Sequence, residues 1–165
     1  MNEADIQALL EATKLKSLNR AGWLRCAVEH PESVAAHSWG VAWLVLLLCP
    51  SGLNRERALE LALVHDLAEV RAGDITPYDK VSATDKHRLE EEALQAMMGE
   101  CTYKARVTSA FEEYRDALTP EAKFVHYCDK LDMALQARRY MLDNPELNLR
   151  EFIETAQRAY PDIQI

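Results

Sequence analysis

Glycine and proline are scarce in this 165-residue chain, at five and six, and no stretch of it is low in complexity. That composition excludes a disordered or repeat-built protein. The four cysteines, Cys26, Cys49, Cys101 and Cys128, form no CxxC pair and sit in apolar or helical surroundings, so they read as reduced core thiols of a cytoplasmic protein. Positive charge is in deficit: 19 Lys and Arg stand against 27 Asp and Glu, for a net charge of −8 and a pI near 5.1. A nucleic-acid polymer needs clustered cations that this balance does not supply, although one or two arginines and a metal ion could still reverse the local sign for a small phosphorylated ligand. Long apolar runs are also missing. The longest, Val41 to Cys49, is about half of what a bilayer crossing needs and reads as a buried core helix. The opening MNEADIQALL lacks the basic region and apolar core of a signal peptide, so neither export nor membrane insertion is expected.

What is present points to helices. Hydrophobic residues make up 48% of the chain and charged residues 28%, and 165 residues can bury one good core, so a single all-α domain over residues 1–165 is expected. An opening helix runs from Ile6 through LKSLNRAGW to Gly22, and Ser33 caps a second that ends at Cys49. Asn54 caps a third, RERALELALVHDLAEVRA, which Gly73 closes. Helices over Thr84–Met98 and Tyr103–Ala117 follow, then a long one that Pro120 starts and Asn144-Pro145 breaks, then a last one near Leu149–Ala159. The sum is a compact bundle of six or seven helices.

Within LALVHDLAEV (61–70), an imidazole and a carboxylate adjoin inside an apolar helix, with Glu69 one turn beyond. Residues three apart share a helix face, so Asp66 and Glu69 project together with His65 at their flank. His37 on the second helix and Asp129 in the long helix interrupt apolar stretches in the same way. If these helices meet, two imidazoles and two carboxylates surround one point, a donor set for a divalent Mn, Co, Fe, Zn or Mg ion. Spacing alone leaves the bland alternatives standing: a hydrogen-bonded core histidine at 37, a surface pair at 65–66 and a solvent-facing Asp129. Trp39 reads as core, whereas Trp23 is open between core packing and a stacking surface.

The segments AAHSWG, LVHDLAEVRAGDI and FVHYCDKLD resemble the His, His-Asp, Asp signature of the HD-domain phosphohydrolases. In order along the chain, LKSLNRAGWLR, PESVAAHS, HDLAEVRAGDITPYD, KHRLEEEA and EAKFVHYCDKLDMALQA resemble the blocks of the 5'-deoxynucleotidase branch, the YfbR-like and HD-domain-containing protein 2-like group. This resemblance implies an HD-domain fold in which His37, His65, Asp66 and Asp129 hold a divalent metal. It implies that Glu69 and Asp74 act in catalysis or, with the Ile75 carbonyl, hold a second cation, and that Arg20 is the arginine that reaches substrate, with Trp23 beside it. The implied reaction removes the 5'-phosphate from a deoxyribonucleoside monophosphate, in a cytoplasmic homodimer. Two alternatives share these residues: an HD-type triphosphohydrolase that releases triphosphate from deoxynucleoside triphosphates, and a non-catalytic nucleotide-binding HD module.

Overall fold

Short polar caps decide where most of the helices begin. In the computed structural model, which describes residues 1–165, Ser33, Asn54, Ser82 and Thr119 each accept a hydrogen bond from the backbone N–H three residues on. They open α3 (Val34–Leu48), α4 (Arg55–Val64), α6 (Ala83–Met98) and α8 (Pro120–Asp143). Asn2 does the same for α1 (Glu3–Ala12), in a reciprocal capping box with Asp5. The remaining long helices are α7 (Lys104–Asp116) and α9 (Arg150–Ala159), and two short ones, α2 (Ala21–Arg25) and α5 (Glu69–Ala72), lie beside the site described below. No strand forms; one antiparallel bridge joins Asn19 to Ser33.

Helix α8 is the axis of the fold, packing against α3, α4, α7 and α9. Val41, Val45, Leu61, Ala62, Val125 and Cys128 form the centre of the largest apolar cluster. A second cluster joins Ala8, Leu94, Met98 and Phe111, with Ala68 from the segment after α4. Trp23, Val28, Ala137 and Leu149 close the opposite end. The four cysteines are free thiols, three of them buried.

Four expectations need correction. The first helix does not reach Gly22: it tightens into a 3-10 turn over Thr13–Lys16, after which the chain extends. The cause is a distant partner, since Arg20 N–H donates to the Glu32 carbonyl and Val34 N–H to the Leu18 carbonyl, a pairing no local pattern announces. Arg20 therefore stands at the start of α2. The third helix is also interrupted, at His65–Ala68. A continuing helix would give the Ala62 carbonyl to the Asp66 N–H; here the His65 imidazole takes it at 2.8 Å, and the next bonds, Leu67 to Val64 and Glu69 to Asp66, are of the tighter i→i−3 kind. In that tighter turn residues three apart eclipse, so Asp66 and Glu69 still share a side. Finally, the Val41–Cys49 run is not wholly buried, and Trp39 is not core: Trp39 is 67% exposed and Trp43 47%, with Leu46 and Leu47 also at the surface. Helix α3 is apolar all round, so it carries no periodicity to tell its inner face from its outer one.

Candidate active site

Three helices and two tight segments bring their polar residues to one buried point. His37 comes from α3, His65 from the end of α4 and Asp129 from the middle of α8, and their donor atoms lie within 4.8 Å of one another. His37 Nε2 is 3.4 Å from His65 Nε2 and 3.2 Å from Asp129 Oδ1. Asp66 Oδ2 completes the group from one side, 3.2 Å from His65 Nε2 and 3.8 Å from His37 Nε2.

The hydrogen bonds behind the rings fix what they present. A carbonyl can only accept, so His65 Nδ1 donates to the Ala62 carbonyl, and the ring turns its Nε2 toward His37. His37 Nδ1 in turn meets Asp132 Oδ2 at 2.8 Å. Two imidazole nitrogens facing one another with carboxylate oxygens alongside want a cation between them. Donors about 2.1 Å from one ion stand about 3.0 to 3.4 Å apart in octahedral or tetrahedral arrangements, close to the separations found. The donor set therefore fits a divalent metal ion.

Around this cluster the charges are arranged unevenly. Arg20 reaches Asp66 at 3.2 Å and Asp74 at 3.8 Å. Asp74 also accepts the Ala21 N–H at 2.7 Å, which ties the loop after Gly73 to the start of α2. Gly73 permits that loop because its φ of 78° lies where other residues are strained. Burial works against charge on Asp66, but His65, Arg20 and His37 outweigh it and hold the carboxyl well below the usual range. Asp129 is likewise kept ionised against burial by Lys130, His37 and His65. Burial and Arg20 oppose a proton on His37, yet its hydrogen bonds to Asp129 and Asp132 carry it up to about 9.

Glu69 goes the other way. It is 3% exposed, its Oε2 has no hydrogen-bond partner, and burial together with Asp66 and Asp74 pushes its carboxyl up to about 10. An unpaired buried carboxyl oxygen is costly and marks a group held ready for something else. The Ile75 carbonyl, on the same cavity, accepts from the Lys86 ammonium at 3.0 Å.

Arg20, His65, Asp66, Glu69, Asp74 and Asp129 line a cavity of about 560 Å³, a volume in the range of small-molecule sites, with His37 buried behind them. Trp23 is one wall of it, and the openness between its two readings resolves toward packing. Its ring lies 4.3 Å from Phe152 and edge-on to Tyr140 at 5.4 Å, and its indole N–H donates to Glu32 at 2.9 Å. Sequence reasoning missed Lys86, Tyr114 and Lys130, which also line the cavity, and Asp132 behind His37. Lys130 Nζ and the Tyr114 hydroxyl contact Asp129 Oδ2 at 2.9 and 3.3 Å. For Asp132 a signal existed: it follows Asp129 by three residues and so shares its face of α8.

Fold and site together define a class, an all-α protein with a two-histidine, two-aspartate cluster on the wall of a ligand-sized cavity. The HD domain family model matches residues 12–163. The 5'-deoxynucleotidase hdd1 of Schizosaccharomyces pombe is 39% identical over 147 residues, covering 85% of this chain and 74% of that protein. The human 5'-deoxynucleotidase HDDC2 is 36% identical over 153 residues, 91% of this chain and 75% of its own length. Among solved structures, a conserved hypothetical protein of Pyrococcus furiosus superimposes with a TM-score of 0.79 at 38% identity, over 96% of this chain and 95% of that one. The chain belongs to the HD-domain family, within its 5'-deoxynucleotidase branch.

Proposed function

We propose that this protein is a metal-dependent 5'-deoxynucleotidase, its residues 1–165 forming one HD domain that hydrolyses deoxyribonucleoside 5'-monophosphates to nucleoside and phosphate. The observation that carries this is the pair of opposed imidazole nitrogens 3.4 Å apart, flanked by Asp66 and Asp129 and set beside a buried arginine and an unpaired carboxyl. The named activity of relatives 36–39% identical over most of the chain supports it. His37, His65, Asp66 and Asp129 would hold one divalent cation, of the Mn, Co, Fe, Zn or Mg group. Glu69 and Asp74, with the Ile75 carbonyl, would be the ligands of a second cation.

A cation bound there would supply Lewis-acid charge, lowering the pKa of water toward neutrality and favouring the ionised form of Glu69. Glu69 Oε2, free of other partners, orients the attacking water, takes its proton and passes it to the leaving 5'-oxygen, so that the P–O bond breaks to nucleoside and phosphate. Arg20, held in place by Asp66 and Asp74, offers its guanidinium to the phosphoryl oxygens as charge shifts among them. Asp74 anchors the loop to the start of α2, so the arginine and Glu69 keep their relative positions.

One observation favours the triphosphate reading as a second choice: besides Arg20, the cavity is lined by Lys86, Arg115 and Lys130, cations enough for a longer phosphate chain. Each of the three is already paired with a neighbouring acid, which keeps the monophosphate first. A metal-by-substrate screen decides. Phosphate released from deoxynucleoside monophosphates with one of these metals, and abolished by chelation, is the expected result. Triphosphate released from deoxynucleoside triphosphates would move the assignment to the second reading, and no turnover with any metal would leave a binding module.

We also propose a homodimer. Trp39, Trp43, Leu46 and Leu47 lie on one exposed face of α3, a helix without an Asp, Glu, Lys or Arg from Val34 to Leu48, and the two indoles are parallel at 6.2 Å. Exposed apolar stripes of this kind mark protein interfaces. Trp43→Glu is expected to halve the sedimenting mass, from two chains of 18.8 kDa to one, without loss of helical signal. An unchanged mass in the variant would count against this face. Four unpaired thiols support a reducing, cytoplasmic setting.

A further inference from the structure

Helix interiors disfavour glycine, yet Gly40 stands in the middle of α3, one turn after His37. Its neighbour explains it. A Cβ at position 40 would lie 2.1 Å from Asp132 Oδ1 and 2.8 Å from its Cγ, so the missing side chain is the space the Asp132 carboxylate occupies. From there Asp132 Oδ2 meets His37 Nδ1 at 2.8 Å, while Asp129, three residues earlier on the same face of α8, meets His37 Nε2 at 3.2 Å. The ring is fully buried between two carboxylates that address its two nitrogens.

We infer that Asp132, admitted by Gly40, is the positioning residue that sets the orientation and tautomer of His37, so that Nε2 is presented bare to the metal site. The inference rests on the metal-dependent function proposed above. With Nδ1 taken up by the Asp132 carboxylate, only Nε2 is left to face a metal, and the negative charge behind the ring makes that nitrogen a stronger donor once a metal displaces its proton. Asp132 itself is turned away from the cluster and shielded from it by the imidazole, which separates its role from that of Asp129. Glu32 also approaches this side of His37 but is engaged by the Trp23 indole.

The test is Mn²⁺ binding to metal-stripped protein, followed by the electron paramagnetic resonance of free Mn²⁺, with melting in chelator as the measure of fold. Asp132→Asn, which keeps the shape and removes the charge, is expected to weaken binding by about 10- to 100-fold, the usual effect of removing such a partner. Gly40→Ala leaves the carboxylate in the chain but fills its place, and is expected to weaken binding comparably. Combined with Asp132→Ala it should add little, because the new methyl then has room. A merely structural role would lower the melting temperature in chelator and leave the affinity of the folded protein unchanged. Wild-type affinity in folded Asp132→Asn overturns the assignment. Should that variant not fold, wild-type affinity in Gly40→Ala overturns it equally. If the unaltered protein binds no Mn²⁺ or any other divalent ion of the group, the metal-dependent function fails first, a result distinct from either.

Discussion

Asp66→Ala is expected to abolish phosphate release, with a fall of about 10³-fold or more, equivalent to roughly 4 kcal/mol of transition-state stabilisation. This carboxylate serves two groups. Its Oδ2 lies 3.2 Å from both His65 Nε2 and Arg20 Nη1, so one oxygen joins the donor cluster to the phosphate-directed cation. Removing it leaves the cluster one donor short and Arg20 with Asp74 alone, at 3.8 Å. The metal and the arginine are thus disturbed together, and the loss should appear in kcat and in Mn²⁺ affinity alike. Unfolding is not the expected cause, because the deletion also removes one of the two aspartates that crowd the buried Glu69 carboxyl; circular dichroism of the variant checks this. Full activity in a folded Asp66→Ala protein would sink the metal mechanism. Asp66→Asn separates the two contributions, since it retains a neutral oxygen for Arg20 but weakens the donor.

Much of this arrangement was legible beforehand, for local reasons. Ser33 and Asn54 mark helix starts through bonds made within three residues and Pro120 through its fixed φ and missing N–H, so the framework carrying His37, His65 and Asp129 follows from short-range chemistry. Asp66 and Glu69 came out on one side although the helix assumed for them is broken, because three-residue spacing brings side chains together in both α and 3-10 turns. The features that escaped depend on distant partners. Arg20 belongs to α2 only because the backbone at 18–20 pairs with 32–34, and Asp132 matters only because α3 leaves a gap at Gly40. Trp39 was misjudged for a different reason: a helix apolar on every side gives a pattern no means of choosing which residues face out. The exposed stripe that results is the basis for the proposed dimer, so the failure of the pattern there coincides with a surface that a single chain leaves uncovered.

Glu69→Gln should separate chemistry from stability. If Glu69 moves the proton of the attacking water, the amide cannot, and kcat is expected to fall by about 10² to 10⁴ while KM changes little. A raised KM at unchanged kcat would instead make Glu69 a binding residue. The same substitution has an opposite effect on the metal-free fold. There the Glu69 carboxyl is pushed from its ordinary 4.5 up to about 10, first by burial and then by Asp66 and Asp74. Between those values the folded chain holds a proton that the unfolded chain releases, so unfolding becomes easier as the pH rises. The contribution is fully present below pH 4.5 and is lost progressively on the way to pH 10. Glutamine has no such proton to lose, and its amide can donate to the neighbouring aspartates. In chelator, Glu69→Gln should therefore be more stable than the unaltered protein at pH 8 to 9, with the gap closing toward pH 4.5, as read from urea unfolding midpoints across that range. Parallel pH profiles for the two proteins would mean that Glu69 is solvated and ordinary, and its role as base would lose its structural ground. The expected pairing, a slower enzyme with a firmer metal-free fold, is what a carboxyl held at a cost for catalysis predicts.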